Sequence, residues 1–528
     1  MTDLTNIDRL PETEAAEVEK SDNLSREIIS DASFFTVCTY IYQAAAFGVG
    51  MVTKRFLGPE GAGIWSFFLM VLSYFSLQHL GMIDGSERQI AFYRGKGQST
   101  YARKIKDNMF GTVGLITIIV AFCTLIFSLL AKNYLSDHLY WALIHIAFIL
   151  PIHLAVSYVT VSLRATKKFK LLGSTFIVVA VLNSVVGIFL VWKWQLTGMF
   201  TAFCVINSVN LCIWYFMTRK DKFLSFKFRI NKLITLEVLK VGFPITLFSL
   251  IWILLKTVDS VIIVSLYGTR ELGIYALAVS VNTFIYHAPN AFSIVMFPRF
   301  QEKFGKSSDV ESLKNFVIKP TTALAFFALP LLIGSAYYFV PPLITLVLPK
   351  FIPGILPLKI LLSGTYWISL VILPTHLLIT INKQIKIVFL GLIGIVLSAA
   401  GTFIAYEYSW GLPGTAVLVS VAYFIFYIVL YIYAVSHFKK EINRIKSLIY
   451  PFVGFIWLTA VVVASDVLFP NGDNLLTYFT YAILKFVVFI IFISPLFFYA
   501  EKQTQVISKC REHLSNVIAP RLKRFYRG

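Results

Sequence analysis

Fourteen stretches of about twenty mostly apolar residues divide this chain, the first at 32–53 and the last at 476–499. One such stretch is long enough to cross a bilayer as a helix. Fourteen together leave no room for a soluble core of ordinary size. Composition agrees: 57% of the 528 residues are hydrophobic and 14% charged, against roughly half and a quarter in soluble domains. That balance excludes a soluble enzyme, a disordered chain and a coiled coil. An outer-membrane barrel is excluded too, because the runs are continuous and not alternating segments of about ten residues. The five cysteines (Cys38, Cys123, Cys204, Cys212, Cys510) have neither paired nor metal-like spacing. The expected fold is an all-α integral membrane protein with about fourteen transmembrane helices.

The charge of +20 would suggest nucleic acid in a soluble protein, so its placement matters. With the N-terminus inside, 38 Lys and Arg fall in cytoplasmic segments and six on the other side. Basic loops stay cytoplasmic. Both termini are therefore expected in the cytoplasm of a multi-pass protein of the plasma or inner membrane, and no nucleic-acid partner is expected. Residues 1–31, with nine acidic side chains, lack the pattern of a cleaved signal and read as a disordered acidic tail. Residues 500–528 place Val506, Leu514, Ile518 and Phe525 among Arg511, Arg521 and Lys523 at helical spacing. This reads as a basic amphipathic helix on the anionic leaflet.

An internal echo sets the organisation. Residues 57–66 read LGPEGAGIWS and residues 267–276 read YGTRELGIYA. At an offset of 210, Gly58 falls on Gly268, Gly63 on Gly273, Ile64 on Ile274 and Trp65 on Tyr275. Six helices per repeat is an even number, so both halves enter the membrane with the same orientation. The expected units are an N-lobe at 32–217, a C-lobe at 241–435 and two accessory helices at 447–499.

The run TKRFLGPEGAGIWSFFLMVLSYFSLQHLGMIDGSERQIAFYRGKG (53–97) resembles the first hairpin of the polysaccharide transporter branch of a flippase superfamily. Multidrug extruders and lipid II flippases belong to the same superfamily. The echo KTVDSVIIVSLYGTRELGIYALAVSVNTF (256–284) is similar to that family as well. The resemblance implies flipping of a polyprenyl-diphosphate-linked oligosaccharide to the outer leaflet by alternating access. It also implies partners among the lipid-linked oligosaccharide, membrane lipids and the polysaccharide polymerase or glycosyltransferase machinery. No cofactor is expected beyond a possible coupling ion, H⁺ or Na⁺.

A diphosphate crossing a low-dielectric slab needs cations or a ring of donors, so ionisable residues within spans are the candidates. Lys256, with Asp259 on the same helical face, is expected to face the cavity, the carboxylate holding the ammonium or coupling to an ion. Lys54 and Arg55 end the first span and would receive the diphosphate on the outer side. Gln78, His79, Asn282, His287 and Asn290 are polar groups in apolar spans, near Trp65, Tyr74, Trp252, Tyr275 and Tyr286; as a set they suit sugar binding. Asp84, Glu87, Arg88 and Arg94, matched by Arg299 and Glu302, could form a cytoplasmic gate of ion pairs. Lys359 and Glu407 are weaker candidates. The chain has no Gly-rich phosphate loop, HExxH, CxxC or GxSxG, so no enzyme activity is expected. The competing readings are a cation-coupled multidrug antiporter of the same superfamily and a membrane-embedded glycosyl or acyl transferase.

Overall fold

The computed structural model describes residues 12–134, 137–166, 168–219, 221, 227–307, 309–438, 444–469 and 475–504. Among them there is no strand, and eleven helical runs are long and apolar enough to cross a membrane. Two of these runs hold two spans each. Phe34–His79 is broken at Gly58 (φ 66, ψ −179), and Phe169–Met217 at Gln195 (φ 48). Gly58 occupies a region open in practice only to glycine, and Pro59 then starts the next helix with its φ already set. A further helix of 39 residues, Thr269–Ser307, supplies the eighth span. The protein is an all-α integral membrane protein of about fourteen spans, as the sequence implied.

In chain order the helices are α1 (Glu12–Phe75), α2 (Met82–Gly95), α3 (Ser99–Leu130), α4 (Asp137–Ala165), α5 (Phe169–Leu182), α6 (Ile188–Thr218), α7 (Lys232–Leu266) and α8 (Thr269–Ser307). They continue as α9 (Lys314–Ala323), α10 (Leu329–Val347), α11 (Ile355–Leu370), α12 (Ile372–Thr380), α13 (Gln384–Glu407), α14 (Gly411–Val435), α15 (Arg444–Leu468) and α16 (Leu475–Thr504). Single π-helical turns join α5 to α6 and α9 to α10.

Two expectations change here. Helix α1 begins at Glu12, so residues 12–31 are helical where a disordered tail was expected. Glu12, Glu14, Ala15, Ala16 and Glu17 are good helix formers, and acidic residues favour a helix start. Residues 1–11 and 505–528, the latter holding most of the expected amphipathic helix, lie outside the described residues. The compact units also depart from the expected lobes: one groups the chain up to Gly50 with Phe75–Ile245, the other Met51–Tyr74 with the chain from Thr246 onward. Residues Met51–Tyr74 thus group with the second repeat and not with their own.

Within the first unit, α2 and α3 grip the start of α7. Gly81 and Gly85 lie where any Cβ would strike the Gly242 or Val238 backbone. Such close approach is the usual use of small residues in membrane bundles. Beside it, the Glu237 carboxylate accepts hydrogen bonds from Tyr93 (2.9 Å) and Tyr101 (2.6 Å). Asn108 Nδ2 donates to Thr235 Oγ1 (3.0 Å), and its Oδ1 accepts from the Asn231 amide (2.6 Å). Lys106 is fully buried, paired with Asp107 at 2.9 Å and 5.5 Å from the Tyr158 ring.

Within the second unit the repeat meets itself. A Cβ on Gly63 would land on the Thr269 carbonyl, and one on Gly273 on the Pro59 carbonyl.

Candidate functional site

A cavity of about 60 Å³ lies in the second unit between α7, α8, α11 and α14. A water needs roughly 10–15 Å³ on this measure, so it holds a few. Helical periodicity assembles its wall. Lys256 and Asp259 come from α7; Tyr275, Val279, Asn282 and Tyr286 from one stripe of α8; Leu361, Thr365 and Ile368 from α11; Tyr423 from α14. Positions three and four apart share a helix face, which is why each helix contributes a short polar ladder.

The Lys256 ammonium sits 3.7 Å from the Tyr286 ring centroid and 5.0 Å from that of Trp252. Asp259 is engaged elsewhere. Its Oδ2 accepts from the Tyr275 hydroxyl (2.7 Å) and its Oδ1 from the Ser260 amide (2.7 Å). The expected Lys256–Asp259 pair is therefore not formed: both carboxylate oxygens have donors, and the ammonium lies over two rings instead. Asn282 Oδ1 is buried and without a hydrogen bond among the described residues.

Lys54 reaches the same wall from the first hairpin. Its ammonium donates to Ser280 Oγ (3.2 Å), next to cavity-lining Val279. Tyr74 hydrogen-bonds Thr257, the neighbour of Lys256. Among the described residues neither Lys54 nor Lys256 has a carboxylate within 4.0 Å. Arg55, by contrast, is exposed.

The other candidates are not among the residues that line this cavity. Gln78 and His79 lie on a 3-10 turn (Ser76–His79) of the first unit. There Gln78 Nε2 donates to Thr117 Oγ1 (3.1 Å), and His79 Nδ1 accepts from the Gly81 amide (3.1 Å). These are interhelical and turn-closing bonds. His287 and Asn290 continue along α8 beyond the lining residues; the Asn290 carbonyl accepts from the Ser293 hydroxyl (2.7 Å). Of the gate candidates, Glu87 pairs with Arg164 at 3.2 Å. Burial raises the Glu87 carboxyl above its usual range, with the Arg164 guanidinium pulling the other way. Asp84 is half-buried, and Arg88 and Arg94 are exposed on α2. The Arg299 and Glu302 side chains lie outside the described ones. Sequence reasoning missed Thr365 and Tyr423, which stand among other polar and aromatic positions of their helices (Ser363 and Tyr366 on α11, Tyr427 and Tyr431 on α14) with nothing in the sequence to set them apart.

Residues 28–304, just over half of the chain, match the family described as polysaccharide biosynthesis protein. The chain belongs to that family. A relative is an uncharacterized membrane protein of Methanocaldococcus jannaschii, 25% identical over 343 residues, covering 63% of this chain and 73% of the relative. Among solved structures, a multidrug resistance MATE family transporter of the MOP superfamily in its outward-facing conformation aligns with a TM-score of 0.55. Identity is 14%, over 82% of this chain and 96% of that one. A MOP superfamily transporter from Pyrococcus furiosus, described as having reversed binding-pocket polarity, aligns with a TM-score of 0.57. It is 15% identical, over 77% and 95% of the two chains. A Vibrio cholerae MATE transporter variant gives 0.58 at 15% identity, over 80% and 99%. These structural likenesses establish the fold. By family and fold the chain is a multi-pass membrane protein of the polysaccharide biosynthesis family that shares its fold with MOP superfamily transporters.

Proposed function

We propose that the chain flips a polyprenyl-diphosphate-linked oligosaccharide from the cytoplasmic to the outer leaflet of the cell membrane by alternating access, with both termini cytoplasmic. The observation that carries this reading is the state of Lys54 and Lys256. Both lie in membrane-spanning helices without a carboxylate partner among the described residues, one on a hydroxyl and one over two rings. A lysine at the centre of a span costs ~2.5–3.5 kcal/mol on insertion scales. A diphosphate would supply the missing counter-charge, while Asn282, Thr365 and the tyrosines offer hydrogen bonds and ring faces to a sugar. A cavity the size of a few waters must open to pass such a head group, which fits a closed stage of a transport cycle.

The rival within the superfamily, a cation-coupled multidrug antiporter, needs an anionic cavity. The carboxylate here is already held by Tyr275 and Ser260, and the open charge is positive. In this proposal Asp259 is the group that would answer to H⁺ or Na⁺. The test is transport by purified protein in liposomes loaded with polyprenyl-diphosphate-linked sugar. Wild type should move the sugar and Lys256→Gln should lower its rate at least about tenfold, the loss of one charge-assisted contact. Export of small cationic dyes with the lipid-linked sugar left unmoved would overturn the reading.

A further inference from the structure

A second cluster of charge stands where α10, α11, α15 and α16 meet. Asp466 of α15 accepts on both oxygens: Oδ1 from Lys485 of α16 (2.8 Å) and Oδ2 from the Tyr337 hydroxyl of α10 (2.6 Å). Lys359 of α11 comes third. Its ammonium is 3.6 Å from Asp466 Oδ2, beyond hydrogen-bond distance, and 4.1 Å from the Tyr337 ring centroid. It has no hydrogen-bond acceptor among the described residues, and its side chain is 20% exposed, against 5% for Lys485. Tyr478 and Ala482 close a narrow cleft beside it.

This cluster is not the first cavity. On α11, Leu361, Thr365 and Ile368 face that cavity, whereas Lys359 lies about 200° from Leu361 around the helix, on the opposite face. It is also near a membrane boundary, since Asp466 is two residues from the end of the span Ser447–Leu468. Lipid phosphates reside at that depth. Lys359 and Lys485 both pair with the Asp466 carboxylate, so two ammonium groups share one negative charge within the described cluster, and an anion would balance the second.

We propose that Lys359 anchors a second anion site, which takes the phosphate of a lipid-borne phosphate ester, with Lys485 and Tyr337 beside it and the Asp466 carboxylate as a competing negative charge. The accessory helices α15 and α16 then hold a phosphate at the membrane surface, one helix thickness from the Lys256 cavity. A membrane lipid headgroup and the lipid-linked sugar both carry such a phosphate, and the chemistry is the same. The site does not depend on the function proposed above.

The test uses full-length protein in detergent micelles carrying Lys54→Gln and Lys256→Gln, which silence the first cavity. Binding is titrated with dihexanoyl phosphatidic acid and, separately, with farnesyl diphosphate. One saturable site is expected for at least one probe. Binding of phosphatidic acid assigns it to headgroups, and binding of farnesyl diphosphate alone to the lipid-linked substrate. Lys359→Gln should weaken it at least about tenfold and Lys359→Arg by less than about threefold, as one charge-assisted bond is lost or kept. Asp466→Asn should tighten it, because a neighbouring negative charge is removed. Binding of neither probe, or unchanged binding in Lys359→Gln, overturns the proposal. So does Asp466→Asn weakening the anion as Lys359→Gln does, which would make the cluster a packing clamp. Should Asp466→Asn fail to fold, the two Lys359 variants leave the Asp466–Lys485–Tyr337 contacts in place and decide alone.

Discussion

Gly63 and Gly273, 210 positions apart in the chain, pack backbone against backbone. A Cβ on Gly63 would sit 3.0 Å from the Gly273 amide nitrogen, and one on Gly273 would sit 2.8 Å from that of Gly63. Each also presses on the residue that starts the other's helix, Thr269 or Pro59, and those two are again 210 apart. One interaction is made twice, as across a two-fold axis. The turns before them repeat as well, with φ 66 at Gly58 and φ 95 at Gly268.

The contact gives a stability prediction. Gly63→Val should lower stability by ~3 kcal/mol or more, since a side chain would have to displace backbone and not a flexible neighbour. Gly48→Ala is the control: its Cβ would meet nothing within 4 Å, and replacing a helical glycine by alanine should gain ~0.5–1 kcal/mol. Thermal unfolding in detergent checks both. Equal midpoints for the two variants would contradict the packing.

Much of this was legible in the sequence. The spans were, because ~20 apolar residues have one solution in lipid, and so was the repeat, because Gly58 and Gly268 need positive φ. Lys256 was legible as a charge inside an apolar span, and Tyr286 as an aromatic position near the polar set Asn282, His287 and Asn290. The partner of Asp259 was not, since spacing places Lys256 on its face but cannot say that the Tyr275 hydroxyl, sixteen residues on, reaches it first. Asp466 was hidden for a different reason: its partners Tyr337, Lys359 and Lys485 sit on three other helices. The grouping of Met51–Tyr74 with the second unit was not legible, since spacing cannot say that Gly63 meets Gly273 across the repeats.

The Tyr275–Asp259 bond gives a second prediction. Both groups are buried, so Tyr275→Phe leaves a carboxylate oxygen short of a donor at a cost of ~1–3 kcal/mol. Tyr275→Phe combined with Asp259→Asn should recover part of that loss, because the stranded charge is removed. Unfolding midpoints of the single and double variants measure the coupling. Additive losses would mean that the bond is not formed.

At the start of α7, the hydrogen bond to Glu237 raises the Tyr93 phenol above its usual pKa. A raised pKa in the folded state means the neutral phenol is favoured there. Its contribution to stability is full below a pH of about 10 and is lost as pH climbs through the raised value. Wild type should therefore lose stability faster than Tyr93→Phe above that pH, and the two curves should run parallel below it. Chemical denaturation at stepped pH reads the difference; parallel curves throughout would mean that Tyr93 does not donate to Glu237.

The ring beneath Lys256 can be tested apart from its hydroxyl. Tyr286→Phe keeps an aromatic face 3.7 Å from the ammonium, whereas Tyr286→Leu removes it. A desolvated cation–π contact contributes ~2 kcal/mol, roughly thirtyfold in an equilibrium constant. If the ring holds Lys256 towards the cavity to meet an anion, Tyr286→Leu should depress transport of the lipid-linked sugar strongly and Tyr286→Phe only slightly. Equal loss in both would shift the role to the hydroxyl, as a donor to the sugar. Unchanged transport in both would remove Tyr286 from the site.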